Sequence, residues 1–94
     1  MKVEYSKRAT ADLHKVSADS RAFGEMAAAA VEVRIREIIA QIREHPEGRP
    51  PAIERPGVAA LVRYPYKMFY RILDNGVRIL HIRHTSRQAW EQER

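Results

Sequence analysis

The apolar residues of this chain change their spacing once, across a stretch of prolines and glycines, and that change limits the folds open to it. Before the break, Phe23, Ala27, Val31, Ile35, Ile38 and Ile42 recur three and four apart, the stripe of an amphipathic helix. The break itself, Pro46 to Gly57, holds four prolines and two glycines and reads as a loop. After it, Val58, Ala60, Val62 and Tyr64 alternate with Ala59, Leu61 and Arg63, the period of a strand.

The rest of the chain divides on the same signals. Val3 and Tyr5 alternate with charged neighbours and predict a strand at 2–5. Ser6 is placed to cap a first helix at 7–17, whose apolar side is Ala9, Leu13 and Val16. Ser17-Ala18-Asp19-Ser20 is rich in turn formers and predicts the reversal into a second helix at 20–45. In that helix Glu32 precedes Arg36 by one turn, the favourable order for an ion pair. The alanines at 27–30 suggest close approach to the first helix. Strands are predicted at 58–64, 66–74 and 77–84, with a polar tail at 85–94 where Thr85 and Gln88 have the spacing of a capping box.

Asn75-Gly76 reads as a two-residue hairpin turn, since both types tolerate positive φ. Such a turn sets Ile72 opposite Ile79, Tyr70 opposite His81 and Met68 opposite Arg83 on one face. The other face then pairs Leu73 with Arg78, Arg71 with Leu80, Phe69 with Ile82 and Lys67 with His84. The expected architecture is α+β, in the order β-α-α-β-β-β, with a helical hairpin packed on a small antiparallel sheet.

At 94 residues the chain makes one domain. It has no cysteine, which excludes disulfides and thiolate metal sites and fits a reducing cytoplasm. No run approaches the ~20 apolar residues of a membrane span, and the opening residues lack the apolar core of a secretion signal. Seventeen Lys and Arg against twelve Asp and Glu give a net charge of +5. That balance favours an anionic partner, whether nucleic acid, an enzyme bound to nucleic acid or an acidic protein.

Candidate functional residues gather where the last strand ends. His81, Arg83, His84 and Arg87, joined by Arg63, Lys67, Arg71 and Arg78, give the sheet a cationic surface. Such a surface can hold phosphates and stabilise charge as a phosphodiester breaks, and an imidazole can move the proton. The plainer reading is a solvated face that discourages edge-to-edge aggregation. His81 and His84 point to opposite faces of a strand, so no metal is expected, and with no Gly-rich phosphate loop no cofactor is expected either; His81 is read as a packed histidine bonded to Tyr70 or backbone. Trp90 either clamps the tail onto the sheet or anchors a partner.

The segments Arg63-Tyr64-Pro65-Tyr66-Lys67-Met68-Phe69-Tyr70-Arg71-Ile72 and Val77-Arg78-Ile79-Leu80-His81-Ile82-Arg83-His84-Thr85-Ser86-Arg87 resemble the signature of ParE/RelE-type toxins. In that signature an aromatic-Tyr-Arg strand is followed by a tight turn and an apolar strand ending in His and Arg. The resemblance implies a toxin of a type II toxin–antitoxin pair, neutralised by a ParD-like antitoxin that wraps it. ParE-like members poison DNA gyrase without a recognised catalytic centre; RelE-like members cut mRNA on the ribosome with basic residues and a C-terminal Tyr or His. All four tyrosines here precede Asn75, and the loop at 50–57 carries only Arg55. The ParE-like branch is therefore favoured, with Arg63, Lys67, Arg71, Arg83, His84, Arg87 and Trp90 as contact residues. The alternatives are a ribosome-dependent mRNA endonuclease using His84, Arg87 and Lys67, and a non-toxic antitoxin-binding regulator.

Overall fold

A computed structural model describes residues 2–48 and 56–85. Its elements are β1 (Lys2–Tyr5), α1 (Lys7–Arg21), α2 (Glu25–Glu44), β2 (Ala59–Arg63), β3 (Tyr66–Leu73) and β4 (Gly76–His84). The order is the expected one. The sheet runs β1-β4-β3-β2, with β1 parallel to β4 and the other pairs antiparallel. It is therefore mixed where an antiparallel sheet was expected. The helical hairpin carries the chain back over the sheet between β1 and the later strands, as a parallel pair requires.

Ser6 caps α1 as its position suggested: its Oγ accepts from the Ala9 amide at 3.0 Å. The end of α1 differs from the sequence reading. The helix continues through Ser17-Ala18-Asp19-Ser20 to Arg21, and the chain reverses at 22–24. Two local bonds explain why cap-type residues did not stop it. The Ser20 hydroxyl donates back to the Ser17 carbonyl at 2.9 Å, a bond compatible with continued helix, and Lys15 pairs with Asp19 one turn on. Gly24, at φ +105°, supplies the backbone geometry of the reversal that a side chain would resist. Phe23 thus falls in the turn and is 83 % exposed, off the core stripe where it was expected.

The core lies between the hairpin and one sheet face. Ile35, Ile38 and Ile42 of α2 and Ala9 of α1 meet Leu61, Tyr66, Met68, Tyr70, Val77, Ile79 and Ile82, all buried. Leu13, Val16 and Val31 pack half-buried at the margin. Only Ala28 of the alanine run is buried; Ala29 and Ala30 are exposed. Tyr70 is fully buried and its phenol donates to the Pro46 carbonyl at 2.6 Å, which fastens the chain just past α2 to the sheet.

The hairpin register also departs from expectation. Leu73 pairs with Gly76, so Asp74 and Asn75 are the loop and Gly76 already belongs to β4. No non-glycine among the described residues has positive φ, so the turn is not the mirror-image type that Asn-Gly suggested. The glycine has another reason. A Cβ on Gly76 would lie 1.9 Å from the Lys2 carbonyl oxygen, so only glycine lets β1 lie against β4 here.

A second irregularity follows. Tyr70 opposes Ile79 but Phe69 opposes His81, so Leu80 is an extra residue in β4, a β-bulge. Strict alternation would have sent His81 and Arg83 toward the helices with Ile79. The bulge reverses the sense and sends Ile82 there instead. His81 then faces Phe69, and not Tyr70 as the register had predicted.

Ile38 is 0 % exposed in the centre of this core. Ile38→Ala is expected to cost about 2–5 kcal/mol. Ile38→Asp, which buries an unpaired charge, is expected to leave no cooperative thermal unfolding transition by circular dichroism.

Candidate functional site

β1 is shorter than β4, and beyond Ile79 it offers the last strand no backbone partner. The start of α1 takes over that edge. The Ser6 amide donates to the Ile79 carbonyl at 2.9 Å, and the Ser6 hydroxyl donates to the Leu80 carbonyl at 2.9 Å. Two turns into the helix, Asp12 Oδ2 accepts from the Ile82 amide at 2.9 Å and from His81 Nδ1 at 2.7 Å. A carboxylate only accepts, so Nδ1 carries the proton. Burial alone would raise the Asp12 carboxyl; the bonds from His81 and Ile82, with Arg8 3.6 Å away, outweigh it and hold Asp12 below the usual range.

His81 is 2 % exposed. Its ring stacks on Phe69 at 5.5 Å between centroids, 11° from parallel. The Lys67 amino group sits 5.0 Å above the same Phe69 ring and the Arg83 guanidinium 5.9 Å from it, cation–π distances both. Lys67 and Arg83 are also cross-strand neighbours. On this outer face of the sheet Val58 and Phe69 are buried, with Ala60 and Leu80 packed against them.

The predicted cationic cluster is split by the sheet. Lys67 and Arg83 lie together on the outer face. Arg71 is exposed opposite Arg78, whose guanidinium donates to Glu4 at 3.0 and 3.1 Å; that bond, helped by Lys2, lowers the Glu4 carboxyl. Arg63 reaches α2 instead, donating to Gln41 Oε1 at 3.2 Å and lying 3.7 Å from Glu37. His84 packs edge-on to Tyr66 at 5.6 Å. Arg87, Trp90, Arg55 and the proposed capping box at Gln88 lie outside the described residues.

Between α1 and the end of β4 is a cleft of about 250 Å³, lined by Arg8, Lys15, Tyr66, Arg83 and His84 among others. The sequence reading missed Asp12, Arg8 and Lys15 here. Nothing in the spacing of α1 joins Asp12 to a strand 69 residues later; the only visible trace was an Arg and an Asp one turn apart. Among the described residues no group of three His, Asp or Glu side chains could hold a metal, and no helix is long and apolar enough to cross a membrane.

The family described as "ParE toxin of type II toxin-antitoxin system, parDE" matches residues 3–89. A chain of the chromosomal ParDE system of P. aeruginosa superimposes with a TM-score of 0.76 at 23 % identity, over 92 % of this chain and 97 % of that one. A chain of the RelBE2 toxin–antitoxin complex of Mycobacterium tuberculosis gives 0.58 at 26 % identity, covering 88 % of each. Among proteins of curated function none matches the sequence.

Asp12 is lowered in the fold, so its contribution to stability is present above the unfolded carboxyl value of about 3.9. That contribution is lost as pH falls through the lower folded value. Asp12→Asn keeps the shape but weakens both bonds. Its destabilisation, about 1–3 kcal/mol, is expected near neutral pH and to shrink below about pH 4, as read from urea unfolding curves across pH.

Proposed function

Because this chain belongs to the ParE family of type II toxin–antitoxin toxins, we propose that it arrests growth by binding DNA gyrase in the cytoplasm and is neutralised by a ParD-like antitoxin. The observation that carries the gyrase half is the state of the His81–Asp12 pair. It has the distance of a catalytic acid–base pair, but the imidazole is 2 % exposed, stacked on Phe69 and bonded to a carboxylate that also holds the Ile82 amide. A general base must reach the proton it abstracts, and this one is committed to joining α1 to β4. Arg71, Lys67 and Arg83 are spread along the outer face, an arrangement suited to a contact surface. Arg87 and Trp90 belong to the same proposed contact set. The antitoxin half is supported by the family's description and by the two solved relatives, a ParDE system and a RelBE2 complex.

One observation favours the ribonuclease alternative. His84 shares the α1–β4 cleft with Arg8, Lys15 and Arg83, so an imidazole and three cations surround a space where a phosphate fits.

Two assays on the purified toxin separate the readings: gyrase supercoiling, and mRNA cleavage on programmed ribosomes. Inhibited supercoiling without cleavage is expected, and His84→Ala is expected to leave most of that inhibition. A nuclease would instead lose about 10²–10³ in rate with this substitution. Cleavage with untouched supercoiling would sink the gyrase reading, and inactivity in both assays alongside tight antitoxin binding would identify a regulator. Co-expressed antitoxin is expected to copurify and to raise the melting temperature, since it binds only the folded toxin.

A further inference from the structure

The cleft between α1 and the end of β4 has walls that suit a ring better than a free ion. On the α1 side its charges are matched in pairs one turn apart: Arg8 lies 3.6 Å from Asp12, and Lys15 lies 3.4 Å from Asp19. Matched charges leave little net field to draw an anion. Between them is the half-buried side chain of Val16. Across the cleft are Ile82 and the edge-on rings of Tyr66 and His84. Apolar and ring surfaces thus stand beside two acceptors, the carboxylates of Asp12 and Asp19. An indole answers both, since it buries a large apolar face and has one N–H to donate and nothing to accept. The guanidinium of Arg8 offers its π face a cation.

The chain carries such a ring close by. The Thr85 amide donates to the Pro65 carbonyl at 2.8 Å, which keeps the end of β4 against the turn before Tyr66. The chain therefore leaves the sheet at the mouth of the cleft. Trp90, the single tryptophan, follows five residues later, a span of at most about 17 Å when extended. A tether that short gives the ring an effective concentration on the order of millimolar at the cleft.

We propose that the cleft seats the Trp90 indole of the chain's own tail, packed on Val16, Tyr66 and Ile82 with its N–H turned to the α1 carboxylates. Thr85 and Trp90 then bracket Arg87 and hold it beside the end of β4. Filled this way, the cleft has no space for a phosphate next to His84, and the ribonuclease alternative loses its site. The inference needs neither the gyrase nor the antitoxin reading.

With one tryptophan and no cysteine, the purified toxin reports on this ring directly. Its emission is expected to be blue-shifted from that of the urea-unfolded chain, with acrylamide quenching several-fold weaker. Lys15→Cys, at an exposed position on the rim of the cleft, and Lys67→Cys, on the outer face of the sheet, each take a single bimane label, which a touching indole quenches. Adding Trp90→Phe is expected to brighten the label at 15 about twofold or more and to leave the label at 67 unchanged. Emission as red and as easily quenched as in the unfolded chain, from a toxin that melts cooperatively, overturns the inference. So does a label at 15 that Trp90→Phe fails to brighten; brightening at 67 instead places the ring on the outer face.

Discussion

The fold depends on β4 finding hydrogen-bond partners on both sides along its whole length. On one side β3 accompanies it throughout. On the other, β1 has four residues and stops opposite Ile79. A buried strand edge left bare there would cost as much as several unmade hydrogen bonds. The first two turns of α1 remove that cost: Ser6 serves the Ile79 and Leu80 carbonyls, and Asp12 serves the Ile82 amide. Ser6 does this while capping its own helix. One residue therefore ends a strand, starts a helix and continues a sheet edge.

The bulge at Leu80 sits where this handover occurs, and the two belong together. An extra residue in β4 re-aims the strand just as its partner changes from β1 to α1. It places Ile82 in the core and leaves His81 to stack on Phe69 while its Nδ1 reaches Asp12. The basic side chains are distributed by the same event. Arg83 goes to the outer face beside Lys67, and His84 to the helix side against Tyr66. A surface that looks continuous in the sequence is thus divided between two sides of the sheet.

What the sequence could disclose follows from the range of each interaction. The stripe Ile35, Ile38 and Ile42 is a local pattern, and its buried face was legible from spacing alone; so was the Ser6 cap. The order of elements was legible because Pro46 and Gly57 bracket a single change of period. The end of α1 was not, because Ser17 and Ser20 are read as stop signals and only their bonds within the helix show otherwise. Nor was the register. Asn75-Gly76 has the pattern of a turn, whereas the glycine's lack of a side chain answers the backbone of Lys2, more than 70 residues away. The Asp12–His81 pair has the same origin: it is made by tertiary placement, and no periodicity encodes it. Arg63, read with the sheet cations, was drawn off by Glu37 and Gln41 of α2.

The pairing of Lys2 with Gly76 also governs the order in which the molecule is assembled. β1 is made before the other described elements, and its strand partner lies more than 70 residues downstream. Contacts of such separation close late and slow folding, because the loop they enclose must be ordered first. A growing chain thus has its helices, which form from neighbours, long before it has a sheet edge for β1 or a strand end for Asp12 to hold. Until β4 has been added, Val3 and Tyr5 have no strand to pair with, and the outer face around Phe69 and His81 does not exist. Any surface that β4 completes is by this topology absent for most of the chain's synthesis.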